Sequence, residues 1–507
     1  MSRKILGIEL GSTRIKSVLI DENGAVLASG IFEWENTLVD GLWSYSLEDA
    51  ERGVRESYSR LVKDYGEDIR NLDAIGVSAM MHGYLAFDKD GRQLVPFRTW
   101  RNTNTGEAAQ KLSELFSFNV PLRWSVSQYY QSYLDKMEHV KDVAVARLTT
   151  LAGYIHYRLT GRNVLGADDA SGMFPLSGSD YDGEMLAKFN KITGRDFKQL
   201  LPEVLLAGEN AGTLTEEGAH FLDPTGTLKA GAICCPPEGD MGTGMVATNS
   251  VLPKTANISS GTTANCTVVL EKPLKNYYKE IDIISTPDGH PAALIHTNNC
   301  TSEINEWVNL FSEVADLCGA HTDKGQLFEK LFNKSLESDG DVGKLTGYNY
   351  LAGEPLAGTS CGAPLVLRSS DGRLTLANFM QMHIYSAISA IALGMDILKD
   401  EGVEMISITA HGGFYKTPFV GQNATSAVLG APVTVMETAG EGGAYGIALL
   451  AGYALTNGIT LPCYLDKIFG NAKKTTVMAD EKERSKFACF FENYKKYLAV
   501  ERAASRS

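Results

Sequence analysis

A short segment occurs twice in the chain, and the two copies are separated by close to half its length. Ile8-Glu9-Leu10-Gly11-Ser12-Thr13 has a counterpart in Ile258-Ser259-Ser260-Gly261-Thr262-Thr263, in a chain of 507 residues. In both copies the glycine and hydroxyl residues lie between an apolar strand and a second β-rich run. Six residues can match by chance, so the repeat is a moderate indication of duplication. It predicts two similar domains, residues 1–250 and 251–507.

The first half has the pattern of a mixed α/β domain. An Asn-Gly pair at 23–24 lies between two apolar runs and predicts a hairpin, because both residues tolerate positive φ. The spacing of apolar residues predicts strands at 5–10, 15–20, 25–32 and 74–78, and a helix at 47–65. The order βββαβ is typical of mixed α/β folds.

The second half predicts another α/β domain. Ile384, Ile388, Ile391 and Met395 form an apolar stripe at helical spacing. The pattern predicts a long helix at 376–398, a strand at 405–410, a helix at 418–429, a strand at 432–436, a helix that begins at Gly440-Glu441-Gly442-Gly443, and a charged terminal helix at 480–501. No low-complexity linker separates these elements.

Composition excludes several classes of protein. Hydrophobic residues make up 44% and charged residues 21%, which excludes disorder, collagen and coiled coil. The net charge of −14 argues against nucleic acid or an anionic membrane as the main partner. No signal-peptide core or uninterrupted span of about 20 apolar residues is found. The eight cysteines include no Cys-x-x-Cys pair, which favours reduced thiols and a cytoplasmic location.

Glycine turns after apolar strands point to phosphate chemistry. The chain has neither a Gly-x-x-x-x-Gly-Lys-Ser/Thr loop nor a Gly-x-Gly-x-x-Gly between a strand and a helix. It has instead separated turns at 11–13, 261–263, 412–413 and 442–443. One such turn is usually a plain turn, but their recurrence favours phosphate binding, because phosphates need bare backbone amides and small side chains.

Taken in order, these turns and several other segments resemble the FGGY family of carbohydrate kinases, within the actin-like ATPase superfamily. The resemblance extends from about Lys4 to Gly458. Its segments are a first phosphate loop at 7–16, a substrate segment at 80–83, a sugar-contact stretch at 100–102, an Asp-Ala-Ser-Gly type motif at 168–172, the segment of the catalytic aspartate at 238–242, a second phosphate loop at 258–263, and an adenosine region at 411–422 and 441–448.

The resemblance implies the fold and the cofactors. It implies an α/β fold of two ribonuclease-H-like domains with a central cleft. The N-terminal domain, 1–250, would bind the sugar and hold the catalytic aspartate, and the C-terminal domain, 251–507, would bind the nucleotide. The implied cofactors are ATP and Mg²⁺, and the implied partner is a small sugar. A homodimer is compatible with the sequence, which does not fix the oligomeric state.

By this resemblance Asp240 accepts the proton of the attacked hydroxyl, a role that suits a carboxylate within hydrogen-bond reach of that oxygen. The alternative is that Asp240 caps a helix that starts near Met241, since aspartate favours N-caps. Both roles are compatible with each other.

The implied nucleotide contacts come from both halves of the chain. They are Ser12, Thr13, Lys16, Gly261 and Thr262 for the phosphates, and Gly412 and Gly413 for the adenosine. A lysine near phosphoryl oxygens offsets their charge. The alternative is that Lys16 is a solvated strand residue. Glu9 is the implied metal-site residue, where the family usually has aspartate, and carboxylates plus phosphates are normal magnesium ligands.

The implied sugar contacts are Met81, His82, Trp100, Arg101 and Asn102. Trp100 would stack on the apolar face of the sugar, and the polar side chains would bind its hydroxyls. The alternatives are a structural role for His82 and a plain surface loop at 100–102.

The sequence departs from the family pattern in several places. Arg101-Asn102 replaces the usual acidic position, and His411 and Phe414 replace glycine and alanine. The family's Lys-x-x-Trp signature, expected near 123–134, is absent. The identity of the substrate therefore does not carry over.

The resulting expectation is an ATP- and magnesium-dependent kinase, with a ketopentose such as xylulose as its first candidate substrate. The alternatives are a kinase for another sugar or polyol (ribulose, fuculose, rhamnulose or glycerol) and a non-catalytic homologue that senses sugar or nucleotide. A purely structural function, as an actin-like polymer, is disfavoured because it would leave the sugar-pocket motifs without a role.

Overall fold

A computed structural model describes residues 2–141, 144–436 and 442–505. The chain forms two compact units. Unit 1 consists of Met1–Val251, Asp282–Ala292 and Glu441–Asn471, and unit 2 of Leu252–Ile281, Ala293–Gly440 and Ala472–Ser507. Both are mixed α/β, so the predicted fold class is confirmed.

The strands alternate with helices along most of the chain. They are β1 Ile5–Leu10, β2 Arg14–Ile20, β3 Val26–Glu33, β4 Thr37–Val39, β5 Leu42–Ser44, β6 Ala74–Ala79, β7 Leu85–Phe87, β8 Arg147–Thr149, β9 Val164–Gly166, β10 Leu176–Ser177, β11 Asp180–Tyr181, β12 Glu203–Leu205, β13 Ile233–Cys234, β14 Glu238–Gly239, β15 Thr255–Ser260, β16 Ala264–Val269, β17 Asp282–Ser285, β18 Pro291–Thr297, β19 Leu345–Tyr348, β20 Leu365–Arg368, β21 Ser407–His411, β22 Val433–Met436 and β23 Lys474–Val477.

The helices range from short single turns to spans of more than twenty residues. They are α1 Leu47–Tyr65, α2 Gly106–Phe116, α3 Ser125–Leu134, α4 Glu138–Lys141, α5 Leu151–Thr160, α6 Ala167–Ser171, α7 Gly183–Thr193, α8 Glu216–Leu222, α9 Asp240–Ala247, α10 Ser302–Leu317, α11 Lys324–Ser335, α12 Leu376–Asp400, α13 Val420–Leu429, α14 Gly442–Tyr453, α15 Leu461–Phe469 and α16 Glu481–Ala504.

The central sheet of unit 1 has the strand order β13-β6-β1-β2-β3, and β14 also pairs with β6. β1 and β2 are antiparallel, whereas β1 and β6 are parallel. Helix α1 covers the sheet and has the bounds that its apolar spacing predicts. Its ends are defined locally, because the Ser46 hydroxyl accepts from the Asp49 amide and Gly66 takes the left-handed conformation at φ 80°.

Unit 2 repeats this strand arrangement. β15 and β16 are antiparallel, and β15 runs parallel to β21. β22 then extends the sheet parallel to β21, and β23 pairs antiparallel with β22. The repeated segment therefore forms the same hairpin in each unit, at 11–13 and at 261–263.

The predicted split at residue 250 differs from the observed units, because 282–292 and 441–471 belong to unit 1. Helix α14 packs directly on β1 and β6, where two glycines leave room for it. A Cβ at Gly7 would lie 2.1 Å from the Ala444 carbonyl oxygen, and one at Gly76 would lie 2.6 Å from that of Ile447. The 441–471 segment therefore belongs to unit 1 because of tertiary packing, which local sequence patterns do not encode. Of the predicted helix start, Gly440 and Glu441 lie outside the described residues.

Within the part of the chain that the structure describes, one helix, α12, has the length and apolar composition of a membrane span. Its most apolar window is 83% buried inside the protein, as in the core helix of a globular domain.

The close approach at Gly7 gives the first testable expectation. Gly7→Ala should lower the free energy of unfolding by about 1–3 kcal/mol, because the added methyl group must push α14 away from β1. The matched control is Gly183→Ala at the start of α7, where the described residues place no heavy atom within 4 Å of the added methyl group. Urea unfolding of both variants measures the difference, and equal stabilities would contradict the packing argument.

Candidate active site

The first glycine turn is held from behind by two aromatic side chains. Trp34 Nε1 donates to the Gly11 carbonyl at 2.7 Å, and the Tyr45 hydroxyl donates to the Ser12 carbonyl at 2.6 Å. The two rings stack with centroids 4.2 Å apart. Because the carbonyl groups are bound inward, the Ser12 and Thr13 side chains remain exposed to solvent.

The second turn, in unit 2, uses the same principle with different residues. Thr301 Oγ1 donates to the Gly261 carbonyl at 2.7 Å, and the Cys300 amide donates to the Thr262 carbonyl at 2.9 Å. The Thr262 and Thr263 side chains are exposed. Both turns therefore present hydroxyl groups on a fixed backbone.

Gly412 and Gly413 follow β21 in unit 2, beside the end of β15. Gly412 has φ 107°, and a Cβ there would lie 2.3 Å from the Ser260 carbonyl oxygen, so only glycine fits. Both glycines are exposed. Phe414 is fully buried and packs on Phe332, so it is a core residue.

Glu9 and Lys16 lie directly opposite each other in the β1–β2 hairpin of unit 1. Glu9 Oε2 accepts a hydrogen bond of 3.2 Å from the Ala444 amide at the start of α14. A Cβ at Gly443 would lie 2.5 Å from Glu9 Oε1, so α14 begins tightly against this carboxylate. Burial and the charge of Asp240 raise the pKa of Glu9, and the Ala444 amide and Lys16 oppose that rise.

Asp240 is the first residue of α9, and the preceding Gly239 occupies the capping position. Its Oδ1 accepts a hydrogen bond of 3.0 Å from the Met81 amide. Burial raises the pKa of Asp240, whereas the Met81 amide, the amides of its own helical turn and the Arg123 guanidinium lower it. The carboxylate is thus half-buried and oriented by the segment that follows β6.

Met81 and His82 belong to a backbone turn with positive φ. His82 has φ 74° and Gly83 has φ 101°, and Gly83 donates its amide to the Arg123 carbonyl at 3.2 Å. A non-glycine residue in this region costs of order 1–3 kcal/mol and is typical of functional sites. Burial, together with Arg123, holds the pKa of His82 well below its usual value, so the imidazole is neutral.

The 100–102 loop is fixed to the β4–β5 hairpin rather than free. Asn102 Nδ2 donates to the Trp43 carbonyl at 2.8 Å, and Asn102 Oδ1 accepts from the Trp43 amide at 2.8 Å. The Arg101 guanidinium lies 4.0 Å from the Trp43 ring centroid and donates to Asn36 Oδ1. Trp100 is 42% exposed. Asn102 therefore uses its amide group to hold this loop.

Three buried acids lie next to Asp240, and sequence analysis assigned no role to them. Glu238 Oε2 accepts from the Asp168 and Asp169 amides, and Asp168 Oδ2 accepts from the Gly242 amide at 2.9 Å. Burial raises the pKa of Asp168 and Glu238 well above the usual range, and that of Asp169 to about 7. Two adjacent acids among small apolar residues at 167–170 were the available signal.

An arginine–aspartate pair completes this region. Arg123 Nη2 forms a short contact with Asp282 Oδ2, and Asn119 Nδ2 donates to Asp282 Oδ1 at 2.8 Å. Asp282 lies in the 282–292 segment, which is fixed to unit 1 where Ser285 donates its amide to Ser171 Oγ. Sequence spacing could not have paired residues so far apart.

The donor set can be tested for a magnesium ion. Among residues 2–141, 144–436 and 442–505, no group of three or more His, Cys, Asp or Glu side chains is arranged to hold a metal ion. Glu9 does offer a hard carboxylate oxygen, and the negative charge of Asp240 raises its pKa. Magnesium is commonly held by one or two carboxylates together with substrate phosphates, so the residues present fit such an ion.

Comparison with known proteins places this chain in a family. The N-terminal domain of the FGGY family of carbohydrate kinases matches residues 4–225, and its C-terminal domain matches residues 256–455. The fold is that of the ligand-bound xylulose kinase from Lactobacillus acidophilus, with a TM-score of 0.81 at 18% identity over 100% of this chain and 99% of that chain. The fold is thus that of the actin-like ATPases. The chain belongs to the FGGY family of carbohydrate kinases.

Curated relatives agree at low identity. The xylulose kinase of Haemophilus influenzae is 22% identical over 366 residues, covering 69% of each chain. The xylulose kinase of Staphylococcus xylosus is 23% identical over 230 residues, which is 43% of this chain and 46% of that protein. The match to the second relative therefore spans less than half of its length.

The buried acids lead to a stability test. The native protein keeps the proton on Asp169 up to about pH 7, whereas the unfolded chain loses it near its ordinary pKa of 3.8. Stability is therefore lost as the pH rises through that range. Asp169→Asn should stabilise the protein relative to wild type by an amount that grows from pH 4 to pH 7 and then levels off, on the order of 1–3 kcal/mol.

Urea unfolding at a series of pH values measures this effect. Exposed Asp90→Asn is the control and should show no such trend. A constant difference between Asp169→Asn and wild type across the series would mean that the carboxyl is not protonated in the native state.

Proposed function

We propose that the chain transfers the γ-phosphoryl group of ATP to a hydroxyl of a sugar, with a ketopentose such as xylulose as the first candidate. The observation that carries the proposal is the half-buried Asp240 carboxylate, oriented by the Met81 amide in the same unit as Glu9 and the Ser12-Thr13 turn. Family membership supports the reaction class, and the xylulose kinases among its relatives support the substrate.

Asp240 is the proposed acceptor of the hydroxyl proton. Burial strengthens its affinity for that proton, which brings a carboxylate closer to the range in which general bases work best. The hydrogen bond from the Met81 amide to Oδ1 fixes the orientation in which the carboxylate would meet the attacked hydroxyl. An orientation fixed before binding lowers the entropic cost of reaching the reactive geometry.

The exposed hydroxyls of Ser12 and Thr13 are the proposed contacts for the phosphates, with Lys16 supplying positive charge. In unit 2, the proposed contacts are Gly261 and Thr262 for phosphate and Gly412 and Gly413 for the adenosine. Phosphoryl transfer depends mainly on positioning and on the neutralisation of charge, which a fixed backbone and a lysine provide.

Glu9 is the proposed residue for the magnesium ion of the nucleotide. When bound, magnesium neutralises charge on the phosphoryl oxygens. Glu9 itself is held by the Ala444 amide through one oxygen, which orients the carboxylate. Its extra methylene relative to aspartate is accommodated because Gly443 leaves no side chain in its way.

Met81 and His82 are the proposed sugar contacts nearest Asp240. The Met81 amide binds the Asp240 carboxylate, and His82 follows it in the turn with positive φ at 82–83. A neutral imidazole can donate or accept a hydrogen bond from a hydroxyl. Trp100 and Arg101 would contribute from the neighbouring loop, with Asn102 acting by fixing that loop. A cytoplasmic location is proposed with this function.

The proton acceptor can be tested by Asp240→Asn. Turnover should fall by about 10²–10⁴-fold, the usual contribution of general base catalysis, while nucleotide binding is retained. The measurement is a coupled assay of ADP release across xylulose, ribulose, fuculose, rhamnulose and glycerol, with calorimetric titration of an ATP analogue.

Asp90→Asn is the control for loss of a carboxylate elsewhere in unit 1. Wild-type turnover in Asp240→Asn would exclude the base assignment. An absence of sugar-dependent ADP release by wild type, together with binding of both ligands, would favour the non-catalytic sensing homologue.

The hydrogen bond from the Tyr45 hydroxyl to the Ser12 carbonyl gives a test of the proposed phosphate turn. Tyr45→Phe removes the hydrogen bond to the Ser12 carbonyl and should raise the KM for ATP about fivefold with little change in the KM for the sugar, since such a bond contributes about 1 kcal/mol. Tyr133→Phe, a surface tyrosine, is the control. An unchanged KM for ATP in Tyr45→Phe would mean that the turn does not bind phosphate.

A further inference from the structure

Asp168 takes the place of an N-cap side chain for the helix that begins with Asp240. The residue in the capping position of α9 is Gly239, which has no side chain to accept from the amides of the first helical turn. Asp168 Oδ2, from α6, accepts instead from the Gly242 amide at 2.9 Å. The Asp168 side chain is fully buried, so water does not compete for this amide. The first turn of α9, and Asp240 with it, is therefore held by a side chain from another element.

Two glycines beside Asp240 provide the space for the Asp168 side chain. A Cβ at Gly239 would lie 2.8 Å from Asp168 Oδ2 and 2.8 Å from Met81 Cγ. A Cβ at Gly242 would lie 2.7 Å from Asp168 Cγ. Asp168 therefore packs directly against the backbone both before and after Asp240.

Asp168 is itself held by the strand that leads into α9. Glu238 Oε2, on β14, accepts from the Asp168 amide at 3.1 Å and from the Asp169 amide at 3.3 Å. Just before these contacts, the Gly166 amide donates to the Pro237 carbonyl at 2.8 Å. Each segment thus holds the start of the other's helix, because Glu238 binds the first turn of α6 and Asp168 binds the first turn of α9.

The other end of α6 lies against the 81–83 turn. A Cβ at Gly172 would lie 2.6 Å from His82 Nδ1 and 3.0 Å from Met81 Cε. The Met81 amide in turn donates to Asp240 Oδ1 at 3.0 Å. Helix α6 and the residue that follows it therefore contact both of the elements that orient the Asp240 carboxylate.

We propose that Asp168 is a positioning residue for phosphoryl transfer: by accepting from the Gly242 amide it fixes the first turn of α9, and so the direction in which Asp240 meets the attacked hydroxyl. This inference rests on the proposed function of Asp240. It also gives a role to the 168–172 motif, for which the sequence alone indicated none. A misplacement of a reacting group by about 1 Å can cost about 10²-fold in rate, so a capping bond that touches no substrate can still control turnover.

The test compares variants at position 168 by their kcat and KM, with ATP, magnesium and the sugar of highest turnover in the panel. Asp168→Ala removes the bond to Gly242 and should lower kcat about 10–100-fold, while both KM values stay within about twofold of wild type. Asp168→Asn keeps an oxygen for the Gly242 amide, and its nitrogen replaces Oδ1, which has no hydrogen-bond partner within the part of the chain that the structure describes. The asparagine variant should therefore keep kcat near the wild-type value.

A double-mutant cycle separates positioning from a general loss of structure. If Asp168 acts through Asp240, then Asp168→Ala in an Asp240→Asn background should change the remaining turnover by less than about twofold. Turnover is expressed per folded binding site, which calorimetric titration of an ATP analogue counts, so a smaller folded fraction does not imitate a lower kcat.

The matched control is Asp182→Ala. Asp182 Oδ1 accepts from the Met185 amide at 2.8 Å, which is the same capping bond to the third residue of a helix, here α7 in unit 1. Its loss should lower the unfolding midpoint without changing kcat. If Asp168→Ala does not fold, Asp168→Ser takes its place in every comparison, because the serine hydroxyl is one atom too short to reach the Gly242 amide.

Three results would each overturn the positioning role while Asp240→Asn remains inactive. They are wild-type kcat in Asp168→Ala, an asparagine variant no better than alanine, and a full further loss of turnover when Asp168→Ala is added to Asp240→Asn. Wild-type turnover in Asp240→Asn, or no sugar-dependent turnover in the wild type, would overturn the proposed function and this inference with it.

Discussion

The candidate site of unit 1 depends on how closely α14 approaches the central sheet. Because Gly7 on β1 has no side chain, the Ala444 carbonyl of α14 can pack directly against the strand. At this distance the Ala444 amide donates a hydrogen bond to the Glu9 carboxylate. On the other side of α14, a Cβ at Gly446 would lie 2.0 Å from the Thr243 carbonyl oxygen of α9. Helix α9 begins with Asp240. The close packing of α14 against β1 and against α9 therefore determines the positions of the Glu9 and Asp240 carboxylates.

Much of the fold could be predicted from local signals. Helix α1 has the bounds that the sequence predicts, because Ser46 and Gly66 define its ends independently of the rest of the chain. The β1–β2 hairpin follows from two apolar runs around a glycine turn, and its repetition in unit 2 follows from the repeated segment. The membership of 441–471 in unit 1 could not be predicted, because it depends on space left at glycines distant in sequence.

A candidate site could be proposed from the sequence where a motif names a residue, and less so where burial gives a residue its properties. The motif proposed Asp240, but the contact of its carboxylate with the Met81 amide became visible only in the fold. Asp168 and Glu238 have perturbed proton affinities because they are fully buried, which no sequence pattern reports. Asp282 joins the region through a segment from the other half of the sequence.

A single-turnover measurement tests the central claim, that the Asp240 carboxylate removes the proton from the sugar hydroxyl. Enzyme in excess over labelled ATP is mixed with sugar and quenched on the millisecond scale, which separates the chemical step from product release. The account predicts that Asp240→Asn binds both substrates and forms no sugar phosphate on the time scale of the wild type. Sugar phosphate formed by that variant at the wild-type rate would contradict it.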